Sequence, residues 1–202
     1  MKMRTIVTRT LAATALLMLP ATGGAQEPGT SGAERGAEEG IAIHGHWTIE
    51  VIRGGELVER REFENALTNT GALFLVGTLA RENTTGYWTI LLLADGSGEV
   101  CSGDSAAGPA CRMREFDSEV TLATPDTGDN AGSLVLTGSD TAVRAGNILD
   151  VNTLVQPCDP TVAPADCATA GTPRQLTRKV LDNSIAFANG DQINATVVLT
   201  FN

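Results

Sequence analysis

The chain has 202 residues, 14 of them basic and 24 acidic, for a formal charge of −10. Its length bounds it to about one domain with a sizeable core. An acidic excess of this size repels nucleic acid and anionic lipid, so both are excluded as partners.

The first 25 residues read as a secretory signal of bacterial type. Lys2, Arg4 and Arg9 form a basic start, Leu11–Leu19 is an apolar stretch too short to span a bilayer, and Gly23-Gly24-Ala25 offers small residues for cleavage. Removing 1–25 takes three basic residues and no acidic one, which moves the formal charge from −10 to −13 and leaves Lys179 as the only lysine. The exported chain is expected to start near Gln26 and to be secreted, with no membrane span. Residues 26–40, rich in Gly, Glu and Ser, lack apolar periodicity and are expected to form a flexible arm. Residues 41–202 then form a single domain.

Within that domain Ile41, Ile43, Gly45, Trp47, Ile49 and Val51 alternate with His44, His46, Thr48 and Glu50, the period of a half-buried strand. Arg53-Gly54-Gly55-Glu56 marks a hairpin turn, and Leu57 to Glu64 returns as a strongly charged strand at an edge or with one wet face. One segment breaks the β pattern. Thr70 is placed to cap a helix over about 70–82, with Leu73, Phe74, Val76, Leu79 and Ala80 at three- and four-residue steps. Further strands are expected at Tyr87–Ala94 (central), Glu119–Ala123, Ser133–Thr137, Asn147–Gln156, Gln175–Phe187 and Gln192–Phe201, the last two joined as a hairpin by Asn189-Gly190. The fold class is therefore all-β: an antiparallel β-sandwich with one short helix.

The four cysteines, Cys101, Cys111, Cys158 and Cys167, allow three pairings. Their spacing favours two local disulfides, Cys101–Cys111 and Cys158–Cys167, in loops that do not look like core. Closing a loop of about ten residues stabilises by roughly 2.5–3 kcal/mol. Zinc ligation needs closer pairs, often with histidine, and that spacing is absent.

Catalytic chemistry is hard to find. The only histidines, His44 and His46, stand beside no nucleophile motif, and two potential ligands on one strand face are insufficient for a metal site. Asp95-Gly-Ser-Gly-Glu99 and Asp126-Thr-Gly-Asp129 miss the spacing of a calcium loop. Trp47, Tyr87 and Trp88 sit in strands expected to be core. The expectation is a non-enzymatic protein with no catalytic residue, no metal and no cofactor.

The last strand, Gly190-Asp-Gln-Ile193-Asn-Ala-Thr-Val197-Val-Leu199-Thr-Phe201-Asn202, alternates and ends on a penultimate aromatic. It resembles the C-terminal strand of secreted pilin subunits of the donor-strand type, and similar ends occur in phage tail-fibre-like β-domains. The resemblance covers about 13 residues plus an acidic, aromatic-poor composition. The predicted helix and the two small cysteine loops depart from the pilin pattern. The resemblance implies a structural subunit of an extracellular filament or surface appendage, assembling head-to-tail with copies of itself. An N-terminal segment would then add a strand to the neighbour's sheet. The residues it singles out for partner binding are Ile41, Ile43 and Trp47 on the donor side, and Ile193, Val197, Leu199 and Phe201 in the last strand. The alternative is a secreted glycan- or receptor-binding module, which exposed aromatics in a groove would favour.

Overall fold

A computed structural model describes residues 42–102, 108–163, 166–167 and 172–201. The signal, the arm and Ile41 lie outside the described residues. Nine antiparallel strands and one helix follow in the order β1 (Ile43–Arg53), β2 (Glu56–Leu67), α1 (Asn69–Leu79), β3 (Thr84–Ala94), β4 (Ala110–Arg114), β5 (Val120–Ala123), β6 (Leu134–Thr141), β7 (Gly146–Cys158), β8 (Arg174–Phe187) and β9 (Gln192–Phe201).

The strands form one nearly closed sheet of order β4-β3-β7-β8-β2-β1-β9-β6-β5. It divides naturally into a four-stranded half (β4-β3-β7-β8) and a five-stranded half (β2-β1-β9-β6-β5), because β2 joins β8 through only two residue pairs, Ala66 with Arg178 and Leu67 with Thr177. The inward residues of both halves meet in a single core. Trp47, Ile49, Val51, Ile193, Val197 and Leu199 come from one side, and Ile90, Leu92, Met113, Ile148, Val151 and Ile185 from the other. The alternation seen in β1 thus fixes its faces: Ile43, Trp47 and Ile49 point in, while His44 and His46 are exposed.

Each seam is handled differently. Away from the β2–β8 junction, β4 and the end of β6 are stitched by the segment around Cys101. The Val100 N–H donates to the Ala110 carbonyl (3.3 Å), the Val143 N–H to the Val100 carbonyl (2.8 Å) and the Ser102 N–H to the Thr141 carbonyl (3.1 Å). The turn between β4 and β5 adds a bond from the Glu119 N–H to the Arg114 carbonyl (3.0 Å). At the β2–β8 seam the bridging is confined to one end, where the Thr68 N–H donates to the Leu176 carbonyl (2.8 Å) and the Asn65 amide to the Thr177 hydroxyl (2.8 Å). The register of β7 against β8 slips there, so that Ile148 faces Ile185 while Asp150 faces Val180. The extra residues bulge away and leave an opening of about 120 Å³ lined by Arg61, Phe63, Lys179, Leu181 and Ile185.

Several expectations change. Both disulfides form as the spacing indicates, but their sulfur-bearing residues are buried, and Cys101 and Cys111 belong to the core. Cys111 lies in β4, a strand hidden from the sequence reading by its five-residue length. The β8–β9 connection is no hairpin, since β8 pairs with β7 and β2, and β9 with β1 and β6. Gly190 does take the positive φ of a tight turn, yet its N–H donates to the Ala142 carbonyl (2.8 Å) and the chain crosses to the other half. Arg53 locks this corner through a bidentate pair with Asp191 (2.8 and 2.8 Å), whose carboxylate also accepts the Ala188 N–H (2.7 Å). These bonds, the one from Arg53 first, hold the Asp191 carboxyl below the usual range.

The helix starts earlier than expected and turns a different face inward. Thr68 is its N-cap, accepting the Gly71 N–H (2.9 Å), while its own hydroxyl donates to the Gln175 carbonyl (2.5 Å) and its N–H to the Leu176 carbonyl (2.8 Å). The buried stripe is Gly71, Phe74 and Gly77. A methyl group on Gly71 would lie 2.5 Å from the Leu176 carbonyl oxygen and 2.9 Å from its Cα, so glycine is what lets α1 lie against β8. The large residues Leu73, Val76 and Leu79 consequently point outward.

Candidate functional site

A wide concavity lies on the outer face of the four-stranded half. It has a volume of about 550 Å³, within the usual range for small-ligand sites. Strand alternation builds it. In β3, Trp88, Ile90 and Leu92 enter the core, so Tyr87 and Thr89 lie on the other face, Thr89 itself covered by its neighbours (3% exposed); in β4, Cys111 and Met113 enter, so Arg112 and Arg114 face out. Thr89 pairs with Arg114 across the ladder, and β7 adds Leu154 opposite Thr89. Phe116, in the turn after β4, closes one end with its ring 6.3 Å from that of Tyr87 at an interplanar angle of 45°. Thr172 and Pro173 complete the lining.

The turn beneath Phe116 is held by its carboxylates. Glu115 accepts the Trp88 N–H (3.1 Å), Glu119 accepts the Arg114 N–H (3.1 Å), and Asp117 pairs with the Arg114 guanidinium (3.3 Å). Burial raises the Glu119 carboxyl above its ordinary range, with the bond from the Arg114 N–H opposing it. The wall behind is also fixed. Arg178 donates to Asp150 (2.8 Å), Asp150 accepts from the Asn152 amide (3.1 Å), and the Gln175 amide donates to Asn152. A groove with two aromatic rings, two guanidinium groups and a threonine hydroxyl on a rigid strand floor suits ring stacking together with hydrogen bonding to hydroxyls or carbonyls.

A second, apolar groove of about 400 Å³ runs between α1 and the outer ends of β1 and β9, lined by Ile43, Leu67, Leu75, Val76, Leu79 and Phe201 among others. It is chemically unlike the first.

The residues singled out for partner binding are distributed as follows. Trp47, Ile193, Val197 and Leu199 are fully buried in the core of their own subunit, and Ile43 is nearly so. β1 pairs with β2 along one edge and with β9 along the other, from His44 to Arg53 and from Ile43 to Ile52. In this fold Trp47, Ile193, Val197 and Leu199 are therefore not displayed to a neighbour, because β1 and β9 are both interior strands, while Ile43 reaches only the rim of the apolar groove. Phe201 alone among the described six is about half exposed. Trp47 and Trp88 are core, as expected, whereas Tyr87 is a groove residue. Sequence reasoning missed Thr89, Arg112, Arg114 and Phe116. The alternation of Arg112 and Arg114 with Cys111 and Met113 was the available signal.

His44 and His46 share one exposed face, paired across β1–β9 with Thr200 and Val198. Among the described residues, the one cluster of three potential metal ligands is Cys101, Cys111 and Asp140, and its two sulfurs are joined in a disulfide. Asp95, in the first acidic turn, spends its carboxylate on the Asn147 side-chain amide (2.7 Å) and backbone N–H (2.8 Å), which lower its pKa. Among the described residues no helix is long and apolar enough to cross a membrane. Comparison with protein-family models, curated proteins and solved structures found no match for this chain.

Proposed function

We propose that this protein is a secreted, non-enzymatic carbohydrate-binding module that takes its ligand in the outer groove of the four-stranded half. The observation that carries the reading is the Tyr87–Phe116 ring pair beside Arg112, Arg114 and Thr89. Sugar rings present apolar C–H faces that stack on aromatic rings, and hydroxyls that guanidinium and threonine groups can bond. Two disulfides support an oxidising compartment, in keeping with the signal read in residues 1–25. The test is a glycan array with the exported chain, followed by titration of the best binder against Tyr87→Ala and Phe116→Ala. Binding that both substitutions abolish supports the reading, and the absence of any glycan binding refutes it.

A filament subunit is the second reading, favoured by one observation. Among the described residues, the outer edge of β2 has no ladder partner beyond Ala66 and Leu67, the feature that strand addition requires. Since β1 is already paired on both edges, the donated strand would have to precede Ala42. Glu59 and Arg61, opposite the inward Val51 and Ile49, carry charge toward the opening, a pattern that protects edges against such pairing. Negative-stain electron microscopy of the exported chain and of one beginning at Ala42 distinguishes the cases. Filaments from the longer chain alone would replace the module reading.

A further inference from the structure

Both charged side chains that line the outer groove, Arg112 and Arg114, are basic, in a chain whose formal charge is −10. The acids of the adjoining turn are held elsewhere. Glu115 accepts the Trp88 N–H (3.1 Å) and Glu119 the Arg114 N–H (3.1 Å), and neither they nor Asp117 lines the groove. Asp117 accepts from one Arg114 guanidinium nitrogen at 3.3 Å, with both groups partly exposed. A pair of that kind contributes little, and a carboxylate brought by a ligand can compete with it.

The strand register sets the order of these groups. Thr89 faces Arg114 and Leu91 faces Arg112 across the β3–β4 ladder. Beyond the Thr89–Arg114 pair, the rings of Tyr87 and Phe116 meet at 6.3 Å. Residues two apart on a strand stand about 7 Å from one another. The groove therefore runs from a ring platform past one guanidinium to a second about 7 Å further on.

We propose that the ligand of this groove is an acidic oligosaccharide, a uronic-acid chain with one sugar ring stacked at Tyr87 and Phe116 and its carboxylates paired with Arg114 and Arg112. The proposal rests on the carbohydrate reading above and narrows it.

Donor chemistry selects the carboxylate. A guanidinium only donates hydrogen bonds, whereas a sugar hydroxyl both donates and accepts, so two arginines leave a hydroxyl's donor unused. A carboxylate only accepts, and its two oxygens match the planar guanidinium fork. The acidic chain repels an anion at long range, but charges are screened beyond about 8 Å at physiological salt. A short ligand seated in the groove is governed by the two pairs it makes there. A nucleic acid or an anionic lipid surface extends past the groove and meets the repulsion of the whole chain.

The experiment is isothermal titration of the exported chain with oligosaccharides of galacturonic, glucuronic and mannuronic acid, each beside its neutral methyl ester. The expected result is an acid that binds at least about tenfold more tightly than its ester. Arg112→Gln and Arg114→Gln should each reduce that preference while the melting temperature is kept. Asp117→Asn should strengthen the acid's binding, because it removes the carboxylate that competes for Arg114. Acid and ester of equal affinity, both lost in Tyr87→Ala, overturn this inference and leave the carbohydrate reading standing. An acid preference that survives both arginine substitutions overturns it as well. A panel in which no acid binds also overturns it, and a glycan array equally blank removes the carbohydrate reading with it.

Discussion

The two grooves differ in how their exposed chemistry arises. In the outer groove, strand alternation sends Trp88, Ile90, Cys111 and Met113 inward and leaves Tyr87, Thr89, Arg112 and Arg114 on a rigid floor. At α1 the inward stripe is Gly71, Phe74 and Gly77, so the helix sits close to β8, Leu75 packs beside the core, and Leu73, Val76 and Leu79 are left exposed. The first surface mixes rings with hydrogen-bonding groups and suits a small polar ligand. The second is almost wholly hydrocarbon and has no polar group placed to orient a small polar ligand. Exposed aromatic and aliphatic groups thus carry different meanings according to the polar groups beside them.

The comparison can be broken most sharply at its structural root. Gly71→Val places carbon atoms on the β8 backbone and should destabilise by about 3 kcal/mol, read from urea denaturation. Whatever folded protein remains should still bind ligand in the outer groove. A change remote from both grooves serves as the control. Asp191→Ala removes three bonds to a buried carboxylate and frees the β8–β9 corner, so a loss of about 2–3 kcal/mol is expected with neither binding surface altered.

The same carboxylate sets a pH response. Asp191 and Asp95 have folded pKa values below their unfolded ones, so their stabilisation is fully present above the unfolded carboxylate range and is lost as pH falls through the folded values. Melting temperature should therefore drop as the solution is acidified below about pH 4, and less steeply in Asp191→Ala.

Smaller effects separate the grooves themselves. Tyr87→Ala or Phe116→Ala should weaken the ligand by about tenfold to a hundredfold, measured by titration of the ligand. Thr68→Ala removes the helix cap at a cost of about 1 kcal/mol, measured by thermal melting. If Thr68→Ala weakens ligand binding as strongly as Phe116→Ala, the grooves are coupled and their separation fails.

Much of the fold was legible because its signals are local. The alternation in β1, the Gly54-Gly55 turn and the two cysteine pairings each depend on residues close in sequence, and all appear in the structure. What was not legible depends on the partner surface. Leu73, Val76 and Leu79 have helical spacing, but spacing cannot tell which face a neighbouring strand will accept, and the close approach through Gly71 decides it. Asn189-Gly190 signals a tight turn correctly, yet a turn does not say whether its strands pair or part. The outer groove is assembled by pairing β3 with β4 across the first disulfide loop, so Tyr87 and Arg114 become neighbours only once the short β4 is recognised.

If the outer groove is the ligand site, backbone amide chemical shifts will report it. Titrating the isotope-labelled protein with the strongest binder from a glycan array should move the resonances of Tyr87, Thr89, Arg112, Arg114 and Phe116 together and leave those of α1 in place. Shifts confined to α1 and Phe201, or none with any glycan, would contradict the account.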